Sequence, residues 1–359
     1  MNKRIVGIDV ARALAVIGMI IVNFKMVFGH SGSEILYQIS SIFDGKAAAT
    51  FVVLAGVGIA FATKNVLVPE HTAQLISRRN KILKRALLLF VIGISYIPIW
   101  PADILHFYGV YIPITILLIS KKSNTILWTA IALVFLFPVL MLFMDYELFW
   151  DFTNYEYDQF WTLKGFMYNL FFNGFHPIIP WTAFMLIGLW WGRNTLHSIP
   201  FILKSMKISL GIFIGIQIIS KAIIYLLADG QPEIAQELSE ILGTSPMPPL
   251  PIYMISGASM AIFIISTCIY ISQQFKSARI VQYLADTGKL ALTFYVAHVI
   301  LGMGIIEIIF PNSLGTYSIE FSIGYAFFFS MTCIVFARIW LKQHKTGPLE
   351  WIIQRIISL

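Results

Sequence analysis

An asparagine and a histidine near the end of one apolar segment are a hydrogen-bond donor and a candidate base, and this chain offers Asn23 and His30 in that arrangement. An unperturbed imidazole titrates at about 6.5, so His30 can take a proton from an attacking hydroxyl or amine near neutral pH. The Asn23 amide can donate to a developing oxyanion or orient a substrate. Asp44, Asp103, His106 and His176 fall toward the same side of the chain, and His298 approaches from the middle of a later apolar stretch. Each also has a plain structural reading. His176 precedes a proline at a helix start and suits a cap, His106 needs no more than a carbonyl to bond, and His298 in ALTFYVAH needs a partner or a cavity. Asp9 and Arg12, one turn apart, read as an ion pair that anchors the first helix. Neither HxxxH nor HExxH occurs, so no metal is expected, and without GxSxG a serine nucleophile has no support.

These groups must be positioned by the segment 4–30, which is long enough to cross a bilayer as a helix of roughly 20 residues. At about 100° per residue, Arg12 and His30 share one face, with Asn23 about 20° and Asp9 about 60° away; Lys25 points elsewhere. Polar groups in hydrocarbon cost several kcal/mol each without partners, so that face should look into the protein. The segment exceeds the apolar core of a secretory signal, about 7 to 15 residues, and reads as an uncleaved anchor.

Of 359 residues, 58% are hydrophobic and 12% charged, against about 25% charged in soluble proteins. The expectation is an all-α, polytopic integral membrane protein, one unit over 1–359, with about ten transmembrane helices. They fall near 8–29, 44–64, 86–100, 101–120, 124–144, 176–193, 208–228, 251–273, 288–310 and 319–341. Most of the 25 Lys and Arg then lie on one side and most of the 18 carboxylates on the other, which makes both termini cytoplasmic and the protein a multi-pass protein of the cell membrane. The net charge of +7 belongs to this topology and not to nucleic acid. Loops are expected at 31–43, at the acidic and aromatic stretch 145–173, and at 229–240, while Gly211 and Gly215 offer a small-residue packing face. Cys268 and Cys333 sit in apolar stretches and indicate neither a disulfide framework nor a metal cluster. The run RRNKILKR places Arg78, Arg79, Lys81, Lys84 and Arg85 beside the membrane, where they can hold the phosphates of a cytoplasmic donor; topology and anionic lipid explain them equally well.

RIVGIDVARALAVIGMIIVNF (4–24) resembles the opening of the heparan-alpha-glucosaminide N-acetyltransferase catalytic region and of its YeiB-type bacterial relatives in the transmembrane acyltransferase superfamily. WPADILHFYGVYIPITILL (100–118), FHPIIPWTAFMLIGLWWGR (175–193) and TGKLALTFYVAH (287–298) are more similar to the bacterial group. The resemblance implies transfer from acetyl-CoA across the membrane to a sugar amine, with Asn23 and His30 at the positions of the family's functional Asn and His. Here their interval is shorter, and the family's tyrosine and glycine-rich linker is absent.

The leading expectation is an acyltransferase that takes an acyl group from cytoplasmic acyl-CoA, without a metal, and delivers it to a hydroxyl or amine of an envelope glycan or lipid. Its partners would be the bilayer, that acceptor and a second copy of the chain in a homo-oligomer. The alternative is a secondary transporter or a lipid-binding membrane protein without chemistry, because ten helices with polar groups at mid-depth suit transport as well.

Overall fold

A computed structural model describes residues 4–152 and 156–358; residues 153–155 of the acidic aromatic loop and the extreme ends of the expected 1–359 unit lie outside the described residues. In chain order the helices are α1 (Val6–Phe28), α2 (Glu34–Ser41), α3 (Lys46–Thr63), α4 (Thr72–Tyr96), α5 (Leu105–Leu118), α6 (Ser123–Met141), α7 (Leu163–Tyr168) and α8 (Ile178–Gly192). They continue as α9 (Ile199–Ala228), α10 (Pro232–Leu242), α11 (Pro251–Gln274), α12 (Arg279–Gly288), α13 (Ala291–Ala297), α14 (Gly304–Ile309), α15 (Ile319–Trp340) and α16 (Pro348–Ser358). A π-helical turn, His298–Met303, joins α13 to α14. One ribbon, β1 (Trp150–Asp151) antiparallel to β2 (Glu156–Tyr157), pairs Trp150 with Tyr157.

Seven helical stretches are long and apolar enough to cross a membrane, or up to eight if the bent pair ending in α8 is one span. This is an all-α, polytopic membrane protein. Charge keeps α4 out of that set, since its first half carries Arg78 to Arg85, and α5 is short at 14 residues. All three expected loops contain helix: α2 lies within 31–43, α7 within 145–173, and α10 starts within 229–240 and runs to Leu242. Their apolar residues recur at helical spacing, as in Ile234, Leu238 and Ile241, and Ser33 caps α2 by accepting from the Leu36 N–H.

Without a hydrophobic drive between helices in lipid, close packing at small residues decides which helices touch. On α3, Gly56 faces Gly188 of α8, and a Cβ at either would overlap the other helix's backbone. Helix α3 therefore lies against α8, with α1 and α11 on its other sides, and α1 is also flanked by α12, α13 and α15. A Cβ at Gly211 or Gly215, the expected packing face of α9, would meet nothing within 4 Å among the described residues. Helix α9 leans on α11 and α10, and only 6% of its most apolar stretch is buried.

Helix α1 stops at Phe28 for a tertiary reason. Gly29 adopts φ 129°, a conformation that favours glycine, and a Cβ there would overlap the Tyr317 carbonyl oxygen. The segment before α15 caps the helix end: Gly315 N–H donates to Val27 O and Tyr317 N–H to Phe28 O, both at 2.8 Å. Ser31 then pairs with Ser318 as a parallel bridge.

Candidate active site

Two cavities enter the bundle and approach each other at α3. The first, of about 460 Å³, is walled by α1, α3, the loop before α5, the start of α8 and the segment 245–247. Asn23 lines it, and behind Asn23 its amide nitrogen lies 2.8 Å from His298 Nε2. His298 is fully buried in the π-helical turn, packed by Phe24 and Tyr295, and its Nδ1 has no hydrogen-bond partner among the described residues. With Nε2 accepting from the Asn23 amide, Nδ1 carries the ring proton.

His30 is not on the face of Asn23. Because α1 ends at Phe28, the expected helical continuation fails, and His30 stands exposed at the rim of this cavity, its ring 5.7 Å from that of Tyr37 on α2. Lys25, expected to point elsewhere, lines the same cavity: its ammonium is 2.8 Å from both Asp44 oxygens, 2.9 Å from Ser41 Oγ and over the Tyr37 ring. Asp44 thus neutralises a buried lysine. An intramembrane cation requires such a partner, which was the signal available in the sequence.

His176 lines the cavity with Nδ1 unpartnered, while its backbone carbonyl accepts from the Tyr111 hydroxyl. The aromatic loop adds Phe152 and Phe175. Asn173 pins that loop by donating to Tyr146 O and Leu148 O and accepting from the Tyr157 hydroxyl. Asp103 and His106 do not line the cavity. They form a buried network in which Asp103 Oδ2 lies 2.9 Å from His106 Nδ1, while Oδ1 accepts from Tyr96 at 2.6 Å and Tyr295 at 3.3 Å. Tyr295, held also by the Ile104 N–H, is the member that reaches the cavity.

The second cavity, of about 430 Å³, opens at the other ends of α1 and α13. Its cations are Arg4, Arg12, Arg85, Lys289 and Lys345. Asp9 accepts from Arg4 at 2.7 Å and from Arg12 at 2.9 Å, so the expected Asp9–Arg12 pair is one half of a triad whose two arginines line this cavity. The hydrogen bond to Asp9 raises the Arg4 pKa, so this guanidinium stays charged. Glu350 of α16 caps α13, accepting from Leu292 N–H, Thr293 N–H and Thr293 Oγ1, while Arg85 and Lys345 have no ion-pair partner among the described residues. Of the five cations in the run 78–85, Arg85 lines this cavity and Arg78, Arg79, Lys81 and Lys84 do not. An adjoining recess shares Arg4, Lys289 and Lys345 and adds Lys342 and Arg338, with Asp286 between Lys289 and Arg338. Those cations come from distant segments, so no local motif announced them.

The linings of the two cavities meet. Ala48 lines the first and Phe51, one turn on, the second; Ile104 and Leu105 divide in the same way. The Phe51 ring lies 6.4 Å from Tyr295 and 5.9 Å from Tyr108, whose hydroxyl is buried and unpartnered. Among the described residues no group of three or more His, Cys, Asp or Glu is placed to hold a metal ion.

Helices long enough to cross a membrane thus enclose a cationic cavity at one end of the bundle and, at the other, a cavity lined by Asn23 with His298 behind it. The profile of the heparan-alpha-glucosaminide N-acetyltransferase catalytic region matches residues 4–230, more than half of the chain. The chain belongs to that family. A family described as a protein of unknown function, DUF418, matches residues 191–359, in agreement with the resemblance to YeiB-type proteins. The two matches meet at α9, and the cationic cavity draws on both parts. No curated protein matches the chain.

Proposed function

We propose that this protein takes an acyl group, chiefly acetyl, from cytoplasmic acyl-CoA in the cationic cavity and transfers it to a hydroxyl or amine of an extracytoplasmic glycan or lipid in the Asn23 cavity. The observation that carries this reading is the contact between the two linings, where the Phe51 ring of the cationic cavity lies 6.4 Å from the Tyr295 ring of the Asn23 cavity. The unpaired Arg85 and Lys345, with Arg4, Arg12 and Lys289, suit the donor's phosphates.

In this reading His298, and not His30, is the base. The acceptor's hydroxyl or amine displaces the Asn23 amide from Nε2, and its oxygen or nitrogen attacks the thioester carbon. A C–O or C–N bond forms as Nε2 takes the acceptor's proton; the freed Asn23 N–H bonds face the oxyanion. Collapse breaks the C–S bond, and the proton leaves with CoA as its thiol. His30 and the Lys25–Asp44 pair stand at the mouth, where they meet the rest of the acceptor.

The charge distribution supports ten crossings with both termini cytoplasmic: α1, α3, the apolar half of α4, α5, α6, α8, α9, α11, α13 through α14, and α15. It also supports a cell-membrane, multi-pass protein acting as one unit. Cavities on both sides suit alternating access too, so a transporter is the second reading. Purified protein incubated with radiolabelled acetyl-CoA and a panel of amino sugars and glycolipids should release CoA and label one acceptor class. Gradient-driven uptake of an intact solute into proteoliposomes, with no label transferred, would replace this reading with transport.

A further inference from the structure

A third cavity lies apart from both of these, in the part of the bundle that faces lipid. It is a groove of about 640 Å³ between α6, α8, α9 and α11, with walls such as Leu127, Val134, Ile187, Phe201, Ile208 and Ile262. The groove exists because α9 splays away from α6 and α8 and packs on α11. Its flanks are open to the surroundings, with Phe135 56% and Ile208 51% exposed.

One end of the groove is basic. Lys204 lines it beside Asn194, and Lys207, Arg193, Lys121 and Lys122 stand at the same end of α6, α8 and α9. None of the five meets a carboxylate within salt-bridge distance among the described residues. Arg193 spends its terminal nitrogens on the Ile119 and Lys121 carbonyls and Ser123 Oγ, while its Nε is buried without a partner. The nearby polar groups are engaged elsewhere: Trp191 Nε1 donates to Ser205 Oγ, and the Asn194 amide donates to the Trp190 and Trp191 carbonyls. What remains there is uncompensated positive charge at the foot of an apolar trough.

We propose that this groove is a binding site for an anionic glycerophospholipid, whose acyl chains lie against α9 and whose phosphate meets Lys204 with the cations around it. A membrane helix with so little of its surface buried needs apolar neighbours of another kind, and acyl chains supply them. Cations at a bilayer surface favour an anionic headgroup by roughly fivefold each. A zwitterionic headgroup offers them less, since its own ammonium competes for the phosphate.

The test is native mass spectrometry of the full chain released from detergent, with phosphatidylglycerol and phosphatidylcholine of identical chains added at equal concentration. Wild type should retain one phosphatidylglycerol in preference to phosphatidylcholine by about fivefold or more. Lys204→Glu with Lys207→Glu should abolish that preference, and Ala258→Trp, which fills the groove, should lower retention of both lipids. Ile208→Trp offers the same obstruction from the exposed wall if Ala258→Trp lowers the melting temperature. Equal retention of the two lipids by wild type overturns the proposal, as does a preference unchanged by the lysine variants. A lipid-free dimer, with a second copy seated in the groove, overturns it as well.

Discussion

The Asn23 amide nitrogen sits 2.8 Å from His298 Nε2, although 275 positions separate the two residues in the chain. One is near the end of α1 and the other opens a π-helical turn, a local widening of the helix that often marks function. A buried imidazole bonded to an amide at a cavity wall is what a base awaiting its substrate requires.

The cationic cavity makes a prediction that discriminates within one basic run. Arg85→Ala or Lys345→Ala should raise KM for acetyl-CoA by about tenfold with kcat little changed, the loss of one charge-assisted phosphate contact. Replacing Arg78, Arg79, Lys81 and Lys84 together should leave KM within about twofold at physiological salt, because exposed charges at a distance are screened. The reverse pattern in steady-state kinetics would move the donor to the outer face of α4.

Phe51 is the centre of the wall between the cavities. Phe51→Ala should open a path for water, so that acetyl-CoA is hydrolysed without acceptor at a rate several-fold above wild type; CoA release with and without acceptor measures it. Unchanged hydrolysis in a protein of normal stability would mean that the cavities do not communicate at this point.

Breaking the Lys25–Asp44 pair should cost stability. Asp44→Asn leaves a buried ammonium and is expected to destabilise by about 2 kcal/mol, below the 3–5 kcal/mol of a fully buried pair, since the Asp44 side chain is 29% exposed. Thermal unfolding should show a drop of several degrees that Lys25→Met in the same chain partly restores. An unchanged melting temperature would show that the pair is dispensable.

Much of the bundle was legible in the sequence, because hydrocarbon leaves few choices: long apolar helices must cross, and the polar face of α1 must turn inward. The position of Asn23 followed from helical period alone. His30 did not, since the stop at Gly29 is imposed by residues 315–319 from the far end of the chain. The partner of Lys25 could have been sought by asking which carboxylate neutralises an intramembrane cation, and Asp44 was already a candidate. His298 was visible as an isolated histidine, but no spacing ties it to Asn23. The cationic cavity was hidden for the same reason, as Arg4, Arg85, Lys289 and Lys345 meet only after folding.

Topology is checked by single-cysteine labelling in cells. Ser239→Cys on α10 should react with a membrane-impermeant maleimide added outside and Ser77→Cys on α4 should not; both positions are exposed. The opposite pattern would invert the protein and exchange donor and acceptor sides.

The account rests most directly on acetyl transfer by purified His298→Ala set beside His30→Ala, each measured per folded molecule. If His298 is the base, its loss should cut kcat by roughly 100-fold to 10,000-fold while acetyl-CoA still binds. His30→Ala should change kcat by only a few-fold, and Asn23→Ala with His298→Ala should be scarcely worse than the worse single variant, as residues acting as a unit behave. Near wild-type transfer by His298→Ala, together with collapse of activity in His30→Ala, would contradict the assignment and return the base to the rim of the cavity.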